Sequence, residues 1–188
     1  MSFMNRKILA LLLVIVFFVP NSAVAQDARL TDIIVTNTQD EVLVYLNVEG
    51  AFREKMKKAI LSGVPTSFSF FVSLYRVRNL RFDEKISDIM VTNTVKYDNL
   101  KEEFTIKRSW ENRGPLVLRS FDEAKKLITE IDGLKIASLE QLKKGQRYQL
   151  RAKAKLSKVT LPYYLHYVLF FVSLWDFETD WYTIDFTY

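Results

Sequence analysis

The side chains best placed for chemistry lie toward the end of the chain. Asp176, Glu178 and Asp180 stand at alternate positions, the spacing with which a calcium loop opens, its oxygen ligands surrounding a hard cation. The template then fails, because its sixth position is Trp181 rather than Gly and its twelfth is Thr187 rather than Glu. No metal ligand is therefore assigned, and this acidic cluster reads as a solvated turn. Paired carboxylates could instead cleave a glycosidic bond, with Asp98, Asp176 and Asp180 as the candidates; that chemistry depends on a separation of a few ångströms, which spacing along the chain does not set. His166 is the only histidine, and on a strand it would point with Tyr164 and Val168, as a hydrogen-bonded sheet residue rather than a base. There is no G-x-S-x-G, S-x-x-K or H-E-x-x-H, and five scattered glycines cannot build a phosphate loop. No catalytic residue and no cofactor is assigned, and the chain is read as a non-enzyme.

Charge gives a sharper signal. Arg147, Arg151, Lys153 and Lys155, with Gln149 among them, would share one face of a strand, while Tyr148, Leu150, Ala152, Ala154 and Leu156 share the other. Arg76 and Arg78 repeat the pattern on an earlier strand, and a basic helix carries Lys55, Lys57 and Lys58. If these faces join, they would hold anionic lipid headgroups or an acidic partner. A sheet that wets one face produces the same alternation without any partner.

These side chains need a scaffold, and the pattern supplies a mainly β one. Residues 30–38 and 41–50 read as two strands joined at Gln39-Asp40, with Val42, Val44, Leu46 and Val48 on one face. A basic amphipathic helix follows over about residues 51–62, its apolar side made by Phe52, Met56, Ala59 and Ile60, and Gly63 then Pro65 stop it. Residues 66–82 are rich in β-formers, and residues 88–110 read as a hairpin turning near Asp98-Asn99. Ser120-Phe-Asp-Glu123 is a capping box that opens a second helix over about residues 120–132. Its stripe is Phe121, Ala124, Leu127, Ile128 and Ile131, with Gly133 at the C′ position. A helical turn at 138–144 closed by Gly145 precedes strands at 147–159 and 163–175, and a last strand covers 181–188. The expectation is one antiparallel, β-sandwich-like domain with two amphipathic helices.

Two echoes run through the chain. Asp32-Ile-Ile-Val-Thr-Asn-Thr38 recurs as Asp88-Ile-Met-Val-Thr-Asn-Thr94, and Phe70-Phe-Val-Ser-Leu74 recurs as Phe170-Phe-Val-Ser-Leu174. An internal duplication would set two similar β-sheet halves face to face; strands of restricted composition would produce the echoes by coincidence. The alternation of Tyr182, Ile184, Phe186 and Tyr188 also fits an outer-membrane barrel strand, although two helices and the apolar run at 165–174 suit a packed core better.

The first 25 residues indicate the compartment. Arg6 and Lys7 precede twelve apolar residues at 8–19, Pro20 breaks the run, and Ala23-Val24-Ala25 offers a small-x-small cleavage site before Gln26. That order is a secretory signal, too short in its apolar part for a span of about 20 residues. Removing 25 of 188 residues leaves 163, with 25 Lys and Arg against 22 Asp and Glu, a charge of +3. This is too small a balance to imply nucleic acid, and the length suits a single domain at 26–188. The absence of cysteine excludes a disulfide framework, a lipobox anchor and a thiol nucleophile.

Several short motifs occur in a telling order: the signal, Ser62-Gly-Val-Pro65, Val95-Lys-Tyr-Asp98 with Leu100, Ser120-Phe-Asp-Glu-Ala124, Leu161-Pro162, and the pairs Trp175-Asp176 and Asp180-Trp181. In these the chain resembles the exported Gram-negative envelope proteins grouped as domain-of-unknown-function family 4390, over residues 28–188. The resemblance implies an exported protein without established activity and supplies no catalytic residue. The expectation is a periplasmic or cell-envelope accessory or binding module, with an envelope protein or anionic lipid as partner. The alternatives are an envelope hydrolase using carboxylates, and a membrane-associated form held at the inner membrane by an uncleaved signal or at the outer membrane.

Overall fold

The computed structural model describes residues 28–157 and 177–188. The leading segment, the strand expected at 163–175, His166, Asp176 and the second Phe-Phe-Val-Ser-Leu copy lie outside the described residues. Two antiparallel sheets make the domain. In the smaller, β1 (Arg29–Asn37) and β2 (Glu41–Glu49) form the expected hairpin, and β7 (Glu130–Ser138) adds to the other side of β2. The larger sheet has the order β6-β5-β4-β3-β8-β9, built from β3 (Thr66–Arg76), β4 (Glu84–Asp98), β5 (Glu103–Arg108), β6 (Leu116–Leu118), β8 (Arg147–Ser157) and β9 (Tyr182–Thr187). Among the described residues neither sheet closes on itself, so the alternation of Tyr182, Ile184 and Phe186 belongs to the last strand of an open sheet and not to a barrel.

Strict period-2 alternation places the core between the sheets. Val42, Val44, Leu46 and Val48 of β2 are buried in turn, and they face Phe68, Phe70, Val72 and Leu74 of β3 and Leu150, Ala152, Ala154 and Leu156 of β8 within one apolar cluster. Each large side chain so buried contributes on the order of 1.5–3 kcal/mol of transfer free energy before entropy is subtracted. Helix α1 (Glu54–Leu61) adds Met56, Ala59 and Ile60 to this cluster, or to its margin, as the stripe requires. Its stop is also as expected: Gly63 takes φ +82° and donates its amide to the Ile60 carbonyl at 2.9 Å.

The second helix is shorter than the sequence suggests. α2 (Phe121–Thr129) begins at its cap, where the Ser120 hydroxyl accepts the Glu123 amide, but Glu130 leads directly into β7. Ile131 and Gly133 are therefore strand residues. Gly133, at φ +79°, sits in a bulge: Leu46 pairs with Ile131 and Val44 with Leu134, leaving Asp132 and Gly133 together opposite Tyr45.

The echo does not produce two like halves. β1 is an edge strand of the three-stranded sheet, whereas β4 runs inside the six-stranded one, and each half of the chain feeds both sheets. Asp32 sits at a bulge with φ 52°, while Asp88 pairs regularly with Ser73.

Candidate binding surface

Side chains that point away from the core on β3, β4 and β8 make the outer face of the six-stranded sheet. Register sets Met90, Phe71 and Lys153 in one row across it, and Asp88, Ser73 and Arg151 in the next. The expected stripe of Gln149, Arg151, Lys153 and Lys155 is present on this face, with Arg147 exposed at its end. Little of it is free charge. Lys153 and Lys155 both bind Glu178, Lys155 at 3.3 Å, and Arg151 lies 3.5 Å from Asp83 while its Nε donates to Gln149 at 2.6 Å. Gln149 in turn donates to Asp185 at 2.9 Å.

Aromatic rings interleave with these cations. Lys153 Nζ stands 5.3 Å from the Phe71 ring centre and 4.7 Å from that of Trp181. The Arg151 guanidinium is 4.5 Å from the Tyr75 ring, and Lys85 approaches the same ring at 5.9 Å. Such contacts hold long side chains over the sheet instead of letting them range through solvent. Met90 remains 64 % exposed and Trp181 51 %. Sequence reading missed this apolar component, because Phe71 falls between buried Phe70 and Val72, Met90 falls between partly buried Ile89 and buried Val91, and their face is set only by register.

The carboxylates here are held ionised. Lys153, and then Lys155, keep Glu178 below the ordinary glutamate range. Lys85, with help from the Ser73 hydroxyl at 2.7 Å, does the same for Asp88, and Asp88 raises Lys85 in return. Of the acidic cluster, Glu178 is thus committed to two lysines, Asp180 is exposed, and Asp176 lies outside the described residues. Among the described residues no group of three His, Asp or Glu is placed to hold a metal ion.

Arg76 and Arg78 do not join the stripe. Arg76 follows the inward parity of Leu74 and Val72, its side chain only 13 % exposed, and it bonds Glu84, which Arg78 also binds. Those contacts, Arg76 first, hold Glu84 below its ordinary range and raise Arg76. The lysines of α1 are likewise elsewhere: Lys57 lies over the Phe121 ring at 5.1 Å. Three faces, not one plane, carry the basic residues.

Nor do the described candidates for carboxylate catalysis converge. Asp98 closes the β4–β5 turn, accepting the Leu100 and Lys101 amides at 2.9 and 3.1 Å, and those amides, Lys101 foremost, hold it below its ordinary range. A general acid requires the opposite shift. Asp180 follows Thr179, whose amide donates to Ala154 on β8, and β3 and β8 stand between β4 and β9. Three strand spacings place the aspartates about 14 Å apart across the sheet, where glycoside hydrolysis needs roughly 5–10 Å. A groove between the end of β2 and α2 is lined by Glu49, Phe52, Asp122 and Lys125, and neither Asp98 nor Asp180 lines it.

The model of a family described as "Domain of unknown function (DUF4390)" matches residues 25–185. No curated protein and no solved structure matches the chain.

Proposed function

Because the chain belongs to the DUF4390 family, a grouping defined without an activity, we propose a function from its own surfaces: it is an exported cell-envelope module that holds a protein partner and performs no catalysis. One observation carries this reading. The outer face of the six-stranded sheet presents Phe71, Tyr75, Met90 and Trp181 among Arg151 and Lys153, and aromatic residues, Met and Arg are the types enriched where proteins meet. Its cations are already matched by Glu178 and Asp83. Such a face has little net attraction for a lipid surface, and favours a partner that covers rings and satisfies rim charges. The export component is supported by the order of basic, apolar and small residues in positions 1–25, and the periplasm is the compartment proposed for the module.

A photo-crosslinking amino acid at Met90 or Trp181, in the native organism, tests the partner. A discrete crosslinked species from both positions, with none from Leu100 at the far turn, is the expected result; equal labelling from all three would refute the surface. Mass spectrometry of the same protein tests export: a mature N-terminus at Gln26 is expected, and an intact Met1 would mean a module anchored by its leading segment.

A further inference from the structure

The turn from β3 to β4, residues 77–83, carries two large apolar side chains almost wholly in solvent: Leu80 is 97 % exposed and Phe82 99 %. A single exposed leucine or phenylalanine is ordinary on a protein surface. Two at one projecting tip, with Arg78 and Arg81 beside them, form a pattern. Register extends the basic surroundings, since the Val77 amide donates to the Arg147 carbonyl at 2.9 Å and the exposed Lys143 and Lys144 lie in the turn that leads to Arg147.

The charges near this tip are unequally engaged. Asp83 is paired with Arg151, and Glu84 with Arg76 and Arg78. Arg81, Lys143, Lys144 and Arg147 are exposed and make no ion pair among the described residues. Asp40 and Glu140, at the neighbouring end of the three-stranded sheet, only partly offset them. The end of the sandwich is therefore an apolar point in a cationic collar, unlike the outer face, where cations are matched.

We propose that this end docks on a membrane surface bearing anionic headgroups, with Leu80 and Phe82 entering the acyl region and Arg81, Lys143, Lys144 and Arg147 meeting the headgroups. A protein partner would require a broad complementary patch, about 800 Å² on each side, of which a two-residue tip supplies little. A bilayer closes around a projection of any shape, and its affinity grows with inserted apolar area and with each basic residue near the anionic surface. The strands of the six-stranded sheet then stand away from the membrane, and their outer face stays open laterally. This inference concerns a different surface from the proposed partner face and does not depend on it.

The chain has no cysteine, so Leu80→Cys and Leu100→Cys each give the full-length protein one site for an environment-sensitive fluorophore. Leu100 is the matched control: it is equally exposed at 97 %, but its turn carries Asp98, Glu102 and Glu103 against the single cation Lys101. With vesicles of phosphatidylcholine containing about 30 mol % phosphatidylglycerol, enough to give a negative surface potential, the label at 80 should shift to an apolar spectrum and be quenched by acyl-chain bromines. The label at 100 should stay aqueous. This contrast is read at one position and is independent of any attachment through residues 1–25. In Phe82→Ser, engagement of the label at 80 should need about 10-fold or more lipid, and a similar loss is expected for Arg81→Glu combined with Lys144→Glu. A label at 80 that stays aqueous with these vesicles, or that inserts equally into phosphatidylcholine alone, overturns the proposal. Shielding of position 80 by detergent-solubilised envelope proteins, with none from protein-free vesicles, also overturns it, and would assign the tip to a protein pocket.

Discussion

Asn93 should be the most sensitive polar residue in the domain. It is fully buried on the inner face of β4, where a strand normally carries an apolar side chain. Its amide nitrogen donates to the Glu130 carbonyl at 3.1 Å and more weakly to those of Leu127 and Ile128 at 3.4 Å, while its oxygen accepts the Trp110 indole N–H at 3.1 Å. Arg108, its partner across the β4–β5 ladder, adds a bond from Nε to the Leu127 carbonyl at 3.2 Å. The last carbonyls of a helix have no partner of their own, and α2 turns into β7 with no linker in which they could meet water. Asn93→Leu keeps the volume and removes two good hydrogen bonds, each leaving a poorly solvated partner. At about 1–2 kcal/mol for each such loss, the variant should lose about 2–4 kcal/mol, a fall in Tm of roughly 5–15 °C for a domain of this size. Urea unfolding of Asn93→Leu, Trp110→Phe and the double variant tests the mechanism as well as the size. Trp110→Phe should cost about 1 kcal/mol less in the Asn93→Leu background, since the shared bond is already gone. A loss below about 1 kcal/mol for Asn93→Leu, or additivity within about 0.5 kcal/mol, would refute the role assigned to the side chain.

Three further outcomes are expected. Glu178 has its folded pKa depressed from the ordinary 4.5 by Lys153 and Lys155, so its stabilising contribution is complete above that pH and disappears as pH falls through the folded value. An NMR titration of its carboxyl carbon should show a midpoint below 4.5, moving upward in Lys153→Met, and a wild-type midpoint at or above the ordinary value would contradict the ion pairs. Gly133→Ala should cost about 1–2 kcal/mol in urea unfolding, because a Cβ is disfavoured at its left-handed backbone angle; Gly114→Ala, with open space around it, is the neutral comparison, and equal effects would dismiss the bulge. Asp98→Asn keeps the oxygen that accepts two amides and should retain stability, whereas Asp98→Ala should lose about 1 kcal/mol; equal losses would show that charge, not the turn, matters there.

The parts of this fold that sequence reveals are those where one period runs unbroken. Val42 to Val48 alternate without exception and β2 follows; Ser120 to Ile128 keep helical spacing behind a cap and α2 follows. β7 is hidden because Ile131 extends the helical stripe by three positions and Gly133 imitates a helix stop, while the bulge at Gly133 breaks the alternation of Ile131, Leu134 and Ile136 that would betray a strand. The turn at 77–83 is hidden by the same ambiguity: Leu80 and Phe82 continue a β-like composition past Arg76, where the strand in fact ends. Asn93 and Arg108 look like solvent-facing polar residues, and only the three-dimensional position of the α2 carbonyls shows why they are inside. For the candidate surface, spacing was enough to place Arg151, Lys153 and Lys155 on one face. Their neutralisation by Glu178 and Asp83 was not readable, because those partners arrive from distant loops and from beyond the next strand.

The order in which the strands are joined bears on how the chain can be made. β2 waits for β7, with Glu41 and Ser138 97 residues apart, and β3 waits for β8, with Ser67 and Ser157 separated by 90. Contacts this distant are slow to form, because each closes a long loop before it gains any stability. A ribosome adding about 5–20 residues per second therefore releases β2 and β3, two apolar alternating strands, seconds before β7 and β8, which cover their second edges, exist. Before then only local pairings can form, the β1–β2 hairpin and the run of β3, β4, β5 and β6, and an isolated hairpin is marginal in water. The growing chain stays open and threadable through most of its synthesis, and is exposed to aggregation for the same interval unless something holds it.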